Sequence, residues 1–350
     1  MKRIVLPMFA VALATAAANV RAEKPRIAGD TGAPAVAHDP TLVVQLVRDP
    51  AVQQELDLEA TEADAVDALV ADVEYKLFLL RDVPATEKTI ERNALAERVE
   101  NGLRQTLRQP QRKRLSELLL RAQGYPALAA PPYAETLKLS RAQVDSITKL
   151  LNAAKQAKAG TPAANLDKQV LGVLNREQNE QLTHLAGEPF DLSQVQVVAC
   201  KAPELRDVER WINAQPQSFA SLKGRVVAMH FWAFGCVNCV RNLPHYNDWH
   251  ARFARQGLTV LGIHTPETDA ERSLDGLADQ VKSRKISYPI AADGKGANWN
   301  AWANQVWPAV YLIDRRGYVR YWWYGELNWQ GNNGEATARK RILELLAEEG

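Results

Sequence analysis

The sequence has 350 residues, a length that favours two or more domains over a single one. Its 43 lysines and arginines nearly balance its 41 aspartates and glutamates, so no bulk charge directs the chain to nucleic acid or to an anionic membrane. Three cysteines are too few for a scaffold held together by disulfides.

The first 40 residues have the pattern of an export signal followed by a leader. A charged start at positions 2 and 3 precedes an apolar, alanine-rich stretch at 4–20. We therefore expect a signal peptide over residues 1–22, export to the periplasm, and no stable membrane span after cleavage. An uncleaved anchor is the alternative, although the stretch is short for a span. Residues 23–40 contain Gly, Pro and Asp without an apolar period, which predicts a flexible leader.

A helical module is predicted over residues 41–190, which contain no tryptophan. Apolar residues recur there at helical spacing, as in the stripe formed by Val66, Leu69, Val70 and Val73. No cluster of histidines, cysteines or paired carboxylates stands out in this region of the sequence. We therefore expect a docking or spacing module rather than a catalytic one.

A weak internal repeat divides this module into two degenerate copies. Two pairs of segments resemble each other: 56–61 with 137–142, and 107–115 with 174–182. Residues 124–132, rich in Pro and Ala, are the predicted linker between the copies. We expect an all-α module built from two related helical units.

Residues 200–350 alternate between strand and helix signals, which predicts an α/β domain. Apolar runs predict strands over 226–232, 258–263, 310–314 and 318–324. Helical spacing predicts helices over 236–255, 270–285 and 336–348. Gly317 lies in the turn between the last two strands, where a positive φ is easiest for glycine.

Cys236 and Cys239 have C-x-x-C spacing at the junction between the first of these strands and the first helix. The spacing lets the two sulfurs meet across one helical turn. If Cys236 begins the helix, its thiolate is stabilised by the helix dipole and by unpaired backbone N–H groups. Cys236 would then attack the disulfide of a partner, and Cys239 would resolve the mixed disulfide.

Three motifs follow one another along residues 205–350: FW…CVNC…LP at 231–244, GIHTPE at 262–267 and WPA…LID at 307–314. In this order they resemble the TlpA-like thioredoxin family, and in particular the thioredoxin-like C-terminal domain of DipZ-type proteins. The resemblance does not extend into the helical module. It implies an α/β thioredoxin-like domain at the C-terminus, preceded by the all-α helical module with its weak internal repeat.

The resemblance also implies roles for individual residues. Cys236 corresponds to the nucleophile of the family, and Cys239 corresponds to the resolving cysteine. Pro308 matches a cis-proline that faces the disulfide and presents the backbone of Trp307 to an incoming peptide strand. Trp232 and Trp307 are both expected beside the dithiol.

Two positions depart from the family pattern. His230 stands where thioredoxins commonly have a buried acidic residue that helps to move the proton of the second cysteine. An imidazole can serve as that proton acceptor, and the alternative is a core histidine with a backbone partner. Gly235 stands where a bulky residue often precedes the first cysteine, which predicts a more open rim around Cys236.

These features predict an exported thiol–disulfide oxidoreductase. The residues leave the direction of exchange open, and the family resemblance favours the reduction of protein disulfides over the oxidation of dithiols. The protein's only redox group is the Cys236–Cys239 disulfide, with no other cofactor and no metal. The expected partners are disulfide-containing exported proteins and a membrane thiol electron donor, with no nucleic acid among them. Cys200 could form an intermolecular disulfide or intercept Cys236, but a free thiol without a role is favoured. A metal site formed by His245, His250 and His264 with the cysteines is disfavoured, because the C-x-x-C motif lacks a second ligand pair.

Two other classes of function stay open at this point. The first is a redox-sensing binding or scaffold protein in which the helical module carries the function. The second is a thiol peroxidase, which shares the fold. It is disfavoured because Ala233 replaces the threonine that peroxidases have three residues before the nucleophile, and because Cys239 lies too close to Cys236.

Overall fold

The computed structural model describes residues 39–156 and 163–348. The predicted signal peptide and nearly all of the predicted leader lie outside these residues. The chain divides into two compact units, Met1–Gln196 and Val197–Gly350. Within the two described ranges, no helix combines the length and apolar character needed to cross a bilayer.

The first unit is all α-helical in its described part. Its helices are α1 (Pro40–Arg48), α2 (Pro50–Glu55), α3 (Ala60–Leu79), α4 (Ala85–Thr106), α5 (Gln109–Gln123), α6 (Pro131–Thr136), α7 (Arg141–Gln156), α8 (Ala163–Val173) and α9 (Arg176–Ala186). Two separate hydrophobic clusters hold them together. One is formed mainly by α1 to α5, and the other by the end of α5 and the helices that follow it.

Equivalent hydrogen bonds occur at the two places matched by the sequence repeat. Gln111 at the start of α5 is buried, and its side-chain amide donates to the carbonyl of Asp57 at 3.1 Å. Gln178 at the start of α9 is also buried, and its amide donates to the carbonyl of Lys138 at 3.4 Å. Asp57 and Lys138 share a φ of +50°. These contacts support the proposal of two related helical units.

The segment predicted to link the repeats is folded rather than loose. Tyr125–Ala129 forms a 3₁₀ helix between α5 and α6. Tyr125, Ala127 and Leu128 are buried in the second hydrophobic cluster, because their apolar side chains face the helices of that cluster. The connection is therefore part of the core of the first unit.

The second unit contains a six-stranded mixed sheet covered by helices. Its strands are β1 (Arg210–Ile212), β2 (Val226–Trp232), β3 (Leu258–His264), β4 (Ile290–Ala292), β5 (Ala309–Ile313) and β6 (Val319–Tyr324). Its helices are α10 (Val237–Phe253), α11 (Leu274–Ser283), α12 (Ala297–Ala301) and α13 (Gly334–Ala347). The strand order is β1-β4-β3-β2-β5-β6. β2 pairs in parallel with β3 and antiparallel with β5, so it lies at the centre of the sheet.

The four strands predicted from apolar runs are present, with ends that differ from the prediction by at most one residue. β1 and β4, of three residues each, were not predicted, because such short segments carry no readable period. The helix predicted over 270–285 is interrupted. A 3₁₀ turn, Asp269–Arg272, ends at Ser273, whose hydroxyl accepts a hydrogen bond from the backbone N–H of Gly276 at 3.0 Å and so caps α11.

Candidate active site

The two cysteines lie where the central strand gives way to a helix. Every residue of β2 is buried, so the strand brings the chain through the core to the surface at its carboxyl end. Cys236 is the N-cap of α10, and its Sγ accepts a hydrogen bond from the backbone N–H of Cys239 at 3.4 Å. Both cysteines are free thiols; Cys236 is half-buried and Cys239 is buried. Only the first sulfur is therefore open to a partner.

Burial raises the pKa of the Cys239 thiol well above its ordinary value. A hydrogen bond to Cys236 and the negative charges of Cys236 and Glu267 raise it further, while a backbone hydrogen bond from Ala233 opposes them. Cys239 is therefore protonated near neutral pH, mainly because it is buried. The two sulfurs therefore differ in exposure, and the buried one has a raised pKa.

The turn that carries Cys236 is fixed from both sides. The backbone N–H of Gly235 donates to a carboxylate oxygen of Glu271 at 2.5 Å. The carbonyl of Phe234 accepts from the guanidinium of Arg284 at 3.1 Å, and the Phe234 ring stacks on His264 with centroids 5.2 Å apart. A Cβ atom on Gly235 would lie 2.7 Å from the same oxygen of Glu271. The missing side chain at Gly235 thus makes room for a carboxylate, which sequence reasoning did not anticipate.

Trp307 and Pro308 are joined by a cis peptide bond, as the family resemblance implies. The indole N–H of Trp307 donates to the carbonyl of Thr265 at 3.0 Å, and its ring stacks on Trp299 with centroids 3.8 Å apart. Buried Asp293 accepts from the Thr265 hydroxyl at 2.9 Å and from the backbone N–H of Trp299 at 3.0 Å. Asp293 therefore holds both of the groups that fix the Trp307 ring.

A single hydrophobic cluster brings four of the predicted site residues together. Trp232 and Cys239 are buried members of this cluster, and Cys236 and Trp307 pack against it. The Trp232 ring meets His264 edge-on, with centroids 5.3 Å apart. Burial lowers the pKa of His264 to about 4, with a smaller opposing effect from Glu271, so its imidazole is neutral near pH 7.

His230 lies inside the sheet and is fully buried. Its Nε2 is 3.1 Å from the hydroxyl of Tyr288, and its ring stacks on Tyr246 with centroids 4.1 Å apart. Burial lowers the pKa of His230 to about 3, so the ring is neutral near pH 7. It packs as a core histidine whose partner is a tyrosine hydroxyl rather than the backbone. Its part in proton transfer stays a prediction.

The second unit has an open cleft of about 630 Å³ whose lining includes one residue of the C-x-x-C motif. It is lined by Asn238, which lies between the two cysteines, and by residues of β6, α13 and the loop between them: Trp323, Tyr324, Gly325, Glu326, Leu327, Trp329, Asn332, Asn333, Gly334 and Thr337. Buried Asn242 holds this wall in place. Its amide donates to the carbonyl of Gly325 at 3.1 Å and accepts from the N–H of Leu327 at 3.0 Å. The cleft thus offers aromatic and polar surface, with one carboxylate at Glu326.

The remaining candidates lie away from this arrangement. Cys200 is buried and forms no disulfide, and its backbone pairs with the start of β6. His245 Nε2 faces the amide of Asn328 at 3.4 Å, and His250 packs edge-on against Tyr288. Across residues 39–156 and 163–348, no three or more His, Cys, Asp or Glu side chains are grouped so that they could hold a metal ion.

Sequence reasoning missed Glu271, Asp293 and Arg284 as parts of the site. One signal for Glu271 was present, since Thr268 and Glu271 have the spacing of a capping box. Asp293 and Arg284 have no comparable local signal. Their importance comes from contacts with residues far away in the sequence.

The strand order and the C-x-x-C motif at the start of α10 define the second unit as a thioredoxin-like domain. Residues 198–322 match the model of the AhpC/TSA family. The solved structure of the thioredoxin-like superfamily protein SPOA0173 is 26% identical and covers 43% of this chain and 98% of that chain, with a TM-score of 0.39.

Among proteins with curated names, the chain is similar to protein DipZ of Mycobacterium bovis, at 38% identity over 160 residues. This alignment covers 45% of the chain but 22% of DipZ, so the chain spans less than a quarter of that relative's length. It is also similar to the thiol-disulfide oxidoreductase YkuV of Bacillus subtilis, at 25% identity over 146 residues, 42% of the chain and 94% of YkuV. The predicted thioredoxin-like fold and the predicted resemblance to DipZ-type proteins are confirmed.

Proposed function

We propose that the protein is an exported thiol–disulfide oxidoreductase that reduces protein disulfides through Cys236 and Cys239. The observation that carries the proposal is the pairing of an accessible sulfur at the N-cap of α10 with a buried sulfur one helical turn later. A thiolate at a helix N-terminus is stabilised by the dipole and by nearby N–H groups, which suits a nucleophile. Relatives named as thiol-disulfide oxidoreductases support the assignment.

The proposed reaction has two exchange steps and transfers two electrons. In the first step the Cys236 thiolate attacks one sulfur of a substrate disulfide, and the other substrate sulfur leaves as a thiolate. In the second step Cys239 loses its proton and attacks Cys236 Sγ. The mixed disulfide breaks, the reduced substrate leaves, and a Cys236–Cys239 disulfide remains. The protein's own sulfurs carry both electrons, so the exchange uses no further cofactor.

The raised pKa of Cys239 and its burial both support this order of steps. While Cys236 is a thiolate, its charge opposes ionisation of Cys239. Once Cys236 is bound to substrate, that charge is gone and the Cys239 thiol ionises more easily. Formation of the mixed disulfide thus removes one of the causes that raise the pKa of Cys239, while burial, the largest cause, stays. Glu267, the other negative group acting on Cys239, is a candidate acceptor for the proton.

The cleft beside Asn238 supports a polypeptide as the substrate. A substrate cysteine bound to Cys236 places its neighbouring residues within reach of this cleft, where three aromatic side chains, Trp323, Tyr324 and Trp329, offer flat contact area. The proposed partners are exported proteins that contain disulfides. A membrane thiol donor would return the Cys236–Cys239 disulfide to its dithiol state. The predicted export signal supports a periplasmic location, where substrate disulfides persist.

Trapping tests the proposal in cells. Cys239→Ala leaves the nucleophile in place but removes the resolving thiol, so substrates and donor should accumulate as mixed disulfides on Cys236. The matched control is a Cys236→Ala, Cys239→Ala double variant, which should trap nothing. Equal recovery with both variants would reject the mechanism. Purified full-length protein should also reduce the interchain disulfides of insulin with dithiothreitol as electron source, and Cys236→Ser should abolish this activity.

The two other classes of function give different results in the same experiments. A redox-sensing scaffold would keep its cellular activity in the Cys236→Ser variant, because its helical module would carry the function. A thiol peroxidase would consume hydrogen peroxide rapidly. The site gives that reaction no hydroxyl at the usual place: position 233 is a buried alanine whose carbonyl accepts from the N–H of Cys236 at 3.2 Å.

A further inference from the structure

Glu271 is a buried carboxylate with an unusual set of partners, because they come from two different loops. It is only 4% exposed. Oε1 accepts from the N–H of Gly235 at 2.5 Å. Oε2 accepts from the N–H of Glu267 at 2.7 Å, from the N–H of Thr268 at 2.9 Å, and from the Thr268 hydroxyl at 3.4 Å. The single side chain therefore joins the loop before α10 to the loop after β3.

Each of these loops carries a group that the proposed reaction uses. Gly235 immediately precedes Cys236, so its peptide sets the position of the nucleophile. Glu267 is the acidic residue whose charge acts on Cys239. The distance between the nucleophile and this acid is thus fixed by the two oxygens of one carboxylate.

Gly235 suits this arrangement because it has no side chain, and not because its backbone adopts a conformation that only glycine favours. Its φ lies outside the left-handed region that favours glycine. A Cβ added there would lie 2.7 Å from Glu271 Oε1, closer than such contacts are found in proteins. Gly235 and Glu271 therefore form a pair in which the small residue admits the carboxylate to the turn.

We propose that Glu271 is a positioning residue for thiol–disulfide exchange, which holds the Cys236 turn against the Glu267 loop and so sets the rate at which Cys239 resolves a mixed disulfide. The inference rests on the proposed function and deepens it. Glu271 itself touches neither substrate nor the reacting sulfurs; it acts through Gly235 and Glu267.

Glutamine cannot replace Glu271, although it has nearly the same shape. A carboxylate offers acceptors on both oxygens, whereas an amide offers one oxygen and one NH₂ donor. If the NH₂ faces Gly235, two hydrogen-bond donors face each other and the N–H of Gly235 has no acceptor. If it faces the other loop, it opposes the N–H groups of Glu267 and Thr268. Either orientation leaves a backbone donor without its acceptor and separates one loop from the carboxylate position.

The two exchange steps can be measured separately with Ellman's reagent, an aromatic disulfide. The Cys236 thiolate attacks the reagent and releases one thionitrobenzoate. Cys239 then attacks Cys236 and releases the second, leaving the Cys236–Cys239 disulfide. Full-length protein carrying Cys200→Ala, which removes the third thiol, is mixed with the reagent in a stopped-flow instrument. The two releases are then followed by absorbance as a bimolecular and a unimolecular phase.

Glu271→Gln should slow the unimolecular phase by about 10- to 100-fold, because misplacing reacting groups by about 1 Å costs that much. The bimolecular phase should change by less than about threefold, because Cys236 keeps its place at the helix start. Asp269→Asn is the matched control. It removes the same charge from the same 3₁₀ turn, but its carboxylate is 99% exposed, and both phases should match the parent protein.

A double-mutant cycle tests the pairing with Gly235. Gly235→Ala should slow the unimolecular phase as Glu271→Ala does, and the double variant should be no slower than Glu271→Ala alone. Additive effects, or an unchanged unimolecular phase in Glu271→Gln, would overturn the proposal. So would equal slowing of both phases, which indicates general loss of structure. A parent protein that shows no second release would refute the proposed dithiol mechanism as well, which separates that failure from failure of the Glu271 assignment.

Discussion

Asp293→Asn is expected to lower the free energy of unfolding of the second unit, because Asp293 accepts hydrogen bonds from residues that hold Trp307 in place. Asp293 is fully buried and accepts four hydrogen bonds. Oδ1 takes the backbone and side-chain N–H groups of Asn298, and Oδ2 takes the Thr265 hydroxyl and the Trp299 N–H. An asparagine offers one acceptor oxygen, so its NH₂ must face one of these pairs. The hydroxyl of Thr265 can turn to accept, but the backbone N–H of Trp299 cannot.

The magnitude follows from that geometry. With the NH₂ toward Trp299, at least one buried N–H loses its acceptor, which costs about 1–3 kcal/mol. The bonds that remain lose the contribution of a charged acceptor, worth about 1 kcal/mol more. We therefore expect the free energy of unfolding of the second unit to fall by about 2–4 kcal/mol, a large part of the stability of a typical domain.

The assay can be specific to this unit because all nine tryptophans lie between Trp211 and Trp329. Urea unfolding followed by tryptophan fluorescence reports the second unit, while circular dichroism reports the helices of both units. The fluorescence midpoint should move to lower urea. Asp275→Asn is the control, since the Asp275 side chain is 95% exposed and its loss should change stability little. A fluorescence shift no larger in Asp293→Asn than in Asp275→Asn would refute the reasoning.

Two further predictions concern a buried arginine and buried histidines. Arg121→Met should destabilise the first unit by about 1–3 kcal/mol, since the buried Arg121 guanidinium donates to the carbonyls of Ala186 and Gly187, each at 2.6 Å. Dichroism should detect this loss while the tryptophan midpoint stays fixed; a shift in fluorescence alone would contradict it. Burial lowers the pKa of His230 to about 3 and that of His264 to about 4, so unfolding below pH 6.5 takes up protons. The second unit should therefore lose stability as the pH falls from 6.5 toward 4. His230→Phe should reduce that slope by up to about 1.4 kcal/mol per pH unit, and an unchanged slope would show that His230 is protonated in the folded protein.

The sequence predicted those parts of the site that depend on local pattern. The run at 226–232 is long enough to identify a buried central strand, and the C-x-x-C motif after it places Cys236 at the start of a helix. Both follow from spacing and hydrophobicity within a few residues. The family resemblance added the cis peptide before Pro308.

The parts that were missed depend on contacts between distant segments. Glu271 accepts a hydrogen bond from the N–H of Gly235, 36 positions away in the sequence. Asp293 accepts one from the hydroxyl of Thr265, 28 positions away. No periodicity signals that such a carboxylate faces inward. For His230, a core position with a backbone partner was one of two alternatives, and its tyrosine partner comes from a segment 58 residues away.

The difference in exposure between Cys236 and Cys239 also constrains how the proposed cycle can run. Because Cys239 is buried, the Cys236 sulfur must react both with the protein that is reduced and with the donor that restores the dithiol. The two cannot be served at once, so turnover must alternate between them in a ping-pong sequence. An excess of substrate protein would then slow the reaction with the donor, and an excess of donor would slow the reaction with substrate, because each competes for access to Cys236.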